Sequence, residues 1–150
     1  MESPDFKYLE TKIRTAAPEE LTIIIFDVLI TASTKAIDKL RNTPGDIQGI
    51  HDELRRGQRA LTLLMGSLNF DVGGELARNL FRVYEWWHHE LVLANMRKDA
   101  ERVERLLPHF RSYRETWLEA NRRQRAQNAA VGVPVPAMTQ PSGGGFVAVG

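Results

Sequence analysis

The stretch from Pro18 to Leu40 reads as a helix with apolar residues on two opposite faces, and this limits how it can be buried. At about 100° per residue, Leu21, Ile25, Val28, Leu29, Ala32 and Ala36 share one face. Ile23, Phe26, Ile30 and Ile37 fall nearly opposite, with Asp27, Thr31, Thr34 and Asp38 between the stripes. A surface helix in a small globular protein shows one apolar stripe. A second stripe requires that the helix be covered on both sides by its own chain, or that another chain lie on it. Periodicity leaves these two readings equal.

The remaining bounds are simple. A chain of 150 residues is one domain's worth and can bury a core without staples. The absence of cysteine removes disulfides, thiol nucleophiles and thiolate metal sites. A formal net charge of +1 gives no reason to expect nucleic acid or an anionic membrane as partner. The opening Met1-Glu2-Ser3-Pro4-Asp5 is unlike a signal peptide. The longest apolar run, Leu21 to Ile30, is interrupted by Thr22 and Asp27 and falls short of the ~18 residues of a membrane span. The expectation is a soluble, cytoplasmic protein with no nucleic-acid partner and no membrane insertion.

Four helical segments follow one another. Pro18 suits a first helical position, with Glu19 and Glu20 matching the positive dipole end. Asn42-Thr43-Pro44-Gly45 is a turn, and Asp46 is placed to cap a second helix whose stripe is Ile47, Ile50, Leu54, Leu61, Met65 and Leu68. Gly57 and Gly66 are out of place there; they serve close helix contact or merely soften the segment. Asn69 to Gly74 reads as a connector. A third helix then runs to about Arg97 on Leu76, Leu80, Val83, Tyr84, Trp87, Leu91 and Ala94. Asp99 caps a fourth, built on Val103, Leu106, Leu107, Phe110, Arg114, Trp117 and Leu118, which Pro108 should kink or restart. Short connectors make neighbours antiparallel. The predicted fold is all-α: an up-down four-helix bundle over residues 18–125, with an irregular arm (1–17) and a disordered Pro/Gly-rich tail (126–150). Within that tail Phe146-Val147-Ala148-Val149 is the one candidate docking segment, though a bland tail is the preferred reading.

Catalytic motifs are weak. Glu85-Trp86-Trp87-His88 matches the Glu-x-x-His of di-iron bundles, but such a site needs a second pair and two further glutamates. His51, His89 and His109 lack the preceding Glu, and Glu85 and His88 point away from the core stripe. Ser33, Ser67 and Ser112 sit in no nucleophile elbow, and Gly73-Gly74 lacks the rest of a phosphate-binding loop. Arg122, Arg123 and Arg125 read as a solvated helix end. Neither an enzyme nor a cofactor is expected. What remains is surplus apolar surface: Phe81, Val92 and Met96 lie off the core stripe of helix three, and Trp86 and Leu93 on yet another flank. Such residues mark a partner surface or the sides of a tightly packed bundle.

A set of ordered blocks resembles the flagellin-specific export chaperone family FliS. They are Tyr8 followed by Thr15-Ala16-Ala17-Pro18-Glu19-Glu20-Leu21, then Phe26-Asp27, then Leu68-Asn69-Phe70-Asp71-Val72-Gly73-Gly74-Glu75. Asn79-Leu80, Tyr84, Leu91 to Asp99, and Arg114-Glu115-Thr116-Trp117 complete the series. The resemblance implies a helical bundle that binds the C-terminal region of newly made flagellin in apolar grooves, prevents premature polymerisation and aids delivery to the export apparatus. The flagellar export gate or an anti-sigma factor are candidate further partners, and the free protein is expected as a monomer or weak homodimer. Tyr8 and Ile13 match the family's arm, a displaceable cover over the groove. Client contact is assigned to Ile23, Phe26, Ile30 and Ile37 on helix one and to Phe81, Val92 and Met96 on helix three. Asn95 either bonds the client backbone or serves the turn near Asp99. The alternative is an adaptor of the same fold serving a flagellar regulator or another secretion client. This chain departs from the pattern at Ala17, Pro108, Trp86-Trp87-His88-His89 and the Pro/Gly tail.

Overall fold

The computed structural model describes residues 18–130, with side chains from Glu20 onward. Tyr8, Ile13 and the 131–150 segment lie outside the described residues. Four helices follow in order: α1 (Pro18–Asn42), α2 (Ile47–Gly66), α3 (Phe70–Arg97) and α4 (Ala100–Ala130). The connections are short, so each helix runs antiparallel to the next, and the predicted all-α four-helix architecture is what forms. Packing is cyclic. α1 lies between α2 and α4, α3 closes the ring, and α3 against α4 is the least extensive of the four contacts.

Each helix begins and ends for a local reason. Asp46 Oδ1 accepts the Gly49 N–H at 3.0 Å, capping α2 as its position suggests. Asn69 caps α3 by accepting from Asp71 N and Val72 N at 3.0 and 3.1 Å. α3 therefore starts at Phe70 rather than after the glycines, and its first turn is set off by Gly74 at φ 52°, ψ −125°. Only glycine takes that conformation at low cost. Lys98 ends α3 in the left-handed region (φ 51°), and Asp99 Oδ1 accepts from Arg102 N at 3.3 Å to open α4. α4 passes through Pro108 without restarting, and the proline lies on an exposed part of the helix. The helix also continues to Ala130, past the expected end at Arg125, because Ala126, Gln127, Ala129 and Ala130 are strong helix formers and no breaker precedes Gly132.

The core explains the double stripe of α1. Ile25, Leu29, Ala32 and Ala36 of the first stripe are buried, and so are Leu40 and Phe26, so the buried arc takes in most of the first stripe and reaches the near edge of the second. The stripes are the two sides of one broad face, turned toward α2 on one side and α4 on the other. Own-chain cover accounts for most of the surplus, while Ile23, Ile30 and Ile37, spaced by seven, stay half-buried at the outer edge. Opposite them an aromatic stack forms the centre. Tyr84 lies edge-on to Phe26 at 6.2 Å, and Trp87 packs against Phe110 at 5.0 Å and Tyr113 at 4.7 Å. Trp117 Nε1 donates to the Tyr84 hydroxyl at 3.2 Å, and burial pushes the Tyr84 phenol well above its ordinary range. At Gly57 α2 comes close to α3: a Cβ there would stand 3.1 Å from Leu91 Cδ1, whereas one on Gly66 would meet nothing within 4 Å. Close contact thus explains the first glycine and not the second.

Candidate client-binding surface

The flanks of the four helices meet in seams, and polar pairs identify which flank faces which neighbour. Along α1 and α4, Arg41 Nε donates to Glu104 Oε2 at 3.0 Å, Arg114 Nε to Asp27 Oδ1 at 2.6 Å, and Arg125 Nη2 to Glu20 Oε1 at 3.2 Å. Ile23, Ile30 and Ile37 lie on that same flank of α1, and Leu107 and Leu118 on the matching flank of α4. The result is an apolar strip beside a row of charge pairs. The cations hold the Glu104 carboxyl below its ordinary range, and Asp27 raises the Arg114 guanidinium.

The α2/α3 seam is marked by Asn95 Nδ2, which donates to His51 Nδ1 at 2.9 Å. Phe81, Val92 and Met96 are on this flank of α3. Met96 is 75% exposed, the half-buried Phe81 holds Phe70 edge-on at 5.8 Å, and Ile47 stands open at the start of α2. The contact residues assigned to α1 and α3 therefore sit on two separate seams on opposite sides of the bundle. No single short helix spans both; a client that wraps does.

Two assignments need correction. Phe26 is fully buried against Tyr84 and belongs to the core, because it lies at the near edge of the second stripe, which the buried arc reaches. Asn95 is already engaged: its amide donates to His51 while its Oδ1 accepts from Lys98 Nζ at 2.6 Å. It therefore joins α2 to the turn after α3, the structural alternative for this residue. Ile47 and Leu76, placed in core stripes by spacing, are exposed: Ile47 stands in the first turn of α2, and Leu76 lies on the α4-facing flank of α3, where those two helices meet least extensively.

A third seam was not assigned. Glu90 accepts from Arg102 Nη1 at 3.0 Å and so marks the α4-facing flank of α3. Leu76, Val83, Trp86 and Leu93 share that flank at heptad-like spacing, with Trp86 54% exposed. Spacing by seven links Leu76 to Val83 and Trp86 to Leu93, a signal present in the sequence that a division into core stripe and flank conceals. Among the described residues no three or more His, Asp or Glu side chains are grouped to hold a metal, and no helix is long and apolar enough to cross a membrane.

Comparison with known proteins shows which family this bundle belongs to. The family model "Flagellar protein FliS" matches residues 1–124. This chain belongs to the FliS family. It is 22% identical over 125 residues to the flagellar secretion chaperone FliS of Bacillus subtilis strain 168, covering 83% of this chain and 91% of that protein. It is 27% identical over 110 residues to the flagellar secretion chaperone FliS of Salmonella typhimurium strain LT2, covering 73% and 80%. The FliS match stops short of the last 26 residues.

Proposed function

We propose that this FliS protein acts in the cytoplasm as a flagellin chaperone. It binds the C-terminal region of flagellin along its apolar seams, keeps the subunit from polymerising and presents it for export. Family membership supports the chaperone role. The observation that carries the binding mode is the placement of half-buried and exposed apolar residues on separate seams, Ile23, Ile30 and Ile37 on one and Phe81, Val92 and Met96 on another. A client that is unfolded when free loses ordering entropy on binding and offsets it with extended apolar contact, which surface spread around a bundle supplies. Tyr8 and Ile13 are assigned as the displaceable cover of these seams. No cofactor takes part in this role. The export gate, or an anti-sigma factor, would meet the loaded chaperone or compete for the same seams.

Titration of the full chain with a flagellin C-terminal peptide tests this reading. The expected result is a one-to-one complex of micromolar affinity or tighter, with a gain of helical circular dichroism. An absence of binding at micromolar concentrations excludes flagellin as the client and favours the adaptor alternative.

A further inference from the structure

The α2/α3 seam is built on a repeat of seven. Its first rung is the bond from Asn95 Nδ2 on α3 to His51 Nδ1 on α2, at 2.9 Å. Seven residues are close to two helical turns, so they return to nearly the same face about 10 Å along the axis. In an antiparallel pair, seven forward on α2 matches seven back on α3. Gln58 therefore stands level with His88, and Met65 with Phe81. The seam is a ladder: a bonded polar rung, a second polar rung, and an apolar rung whose two residues rest half-buried against the core.

The middle rung differs from the first. It brings together the same two groups, an imidazole and a carboxamide, with the helices exchanged, yet no hydrogen bond closes it. Among the described residues neither the Gln58 nor the His88 side chain has a hydrogen-bond partner, and both are half-buried. Beneath them the seam is shut, because Gly57 lets α2 come against Leu91 and both of those residues are buried. The donors and acceptors of the rung therefore open outward, between Phe81 on one side and Val92 on the other. A client lying there takes them out of water, and a polar group covered without a partner costs about as much as a lost hydrogen bond. A client that gains helix on binding uses its own backbone amides internally, so the matching group has to come from a side chain. A carboxamide carries donor and acceptor together, which is what a facing imidazole and amide require.

We propose that Gln58 and His88 form a polar recognition step in the α2/α3 seam, and that the step hydrogen-bonds an asparagine or glutamine side chain of the bound client. Apolar contacts are non-directional and leave a client free to slide along the seam. The step fixes its register. This assignment rests on the reading of the α2/α3 seam as client surface, and it supplies there the polar contact that the engaged Asn95 does not.

Titration of full-length variants with the flagellin C-terminal peptide tests the step. Gln58→Leu with His88→Leu makes the rung apolar, and a seam that asked only for apolar area would then bind more tightly than the parent. The expected result is binding at least fivefold weaker, with an unchanged thermal midpoint. The exchange Gln58→His with His88→Gln keeps both groups and is expected to bind within twofold of the parent, which separates hydrogen bonding from packing. Replacing the peptide's asparagines and glutamines by leucine, one at a time, is expected to reveal one position that couples to the step. Its loss weakens binding to the parent at least fivefold and leaves binding to the leucine variant unchanged. Parent-like or tighter binding by the leucine variant overturns the step while leaving flagellin as the client. So does a loss that couples to no asparagine or glutamine. Absence of binding by the parent itself removes the client reading, and the step with it.

Discussion

Single residues set the local limits of this fold. Ser33 is buried in α1, and among the described residues its hydroxyl has no hydrogen-bond partner. Ser33→Ala removes an uncompensated polar group and is expected to raise stability by about 1 kcal/mol in urea unfolding. Gly74 works the other way. At φ 52°, ψ −125° any Cβ is strained, so Gly74→Ala should cost about 1–3 kcal/mol even though space is open around it. Gly66→Ala, at an ordinary φ and also in open space, should instead stabilise by roughly 0.5–1 kcal/mol. Equal effects at the two glycines would refute the conformational argument. Residue-level chemistry was legible in part: Asp46 and Asp99 act as caps as their positions imply. The engagement of Asn95 was not, because its partner His51 is 44 residues away and spacing carries no information about it.

At the scale of the element, α1 shows what periodicity can and cannot decide. Counting apolar positions found two stripes but not the direction of the buried arc, which depends on where α2 and α4 sit. The structure runs the arc from the first stripe to the near edge of the second, which turns Phe26 from an expected contact into core. Four helices and their order were readable because each boundary carries a cap, a proline or a glycine. Exposure was not, since a wheel takes no account of where a neighbouring helix begins or how closely it packs; Ile47, in the first turn of α2, and Leu76, on the loosely packed α4-facing flank of α3, are the result. Charge adds a testable layer at the connectors and seams. Lys39, donating at 2.9 Å, depresses the Asp46 carboxyl, and Arg41 depresses Glu104. A carboxylate with a lowered folded-state pKa stabilises above its unfolded value and loses that contribution as pH falls through the folded value. The thermal midpoint should therefore hold from neutral pH to about 5 and fall below about 4. Added salt should shrink the acid-dependent part, since these pairs are exposed. A midpoint that rises on acidification would contradict the assignment.

For the whole molecule, the decisive feature is that three apolar seams run between helices whose core is already complete. The bundle does not need Ile23, Ile30, Val92 or Met96 to be any more buried than they are, so their remaining surface is free to be used by a partner. Fully burying an Ile or Val side chain contributes roughly 1.5–3 kcal/mol, so the part still open on half-buried Ile30 and Val92 contributes on the order of 1 kcal/mol, about fivefold in affinity, and a carboxylate buried in its place adds a desolvation cost. The most direct test compares peptide affinity across three full-length variants: Ile30→Asp on the α1/α4 seam, Val92→Asp on the α2/α3 seam, and Thr31→Asp on exposed α1 surface. Thermal unfolding of each variant confirms that the bundle is intact. Flagellin C-terminal peptide is predicted to bind Ile30→Asp and Val92→Asp at least tenfold more weakly than the parent and to bind Thr31→Asp unchanged. Parent-like affinity in both seam variants would contradict the claim that the seams hold the client.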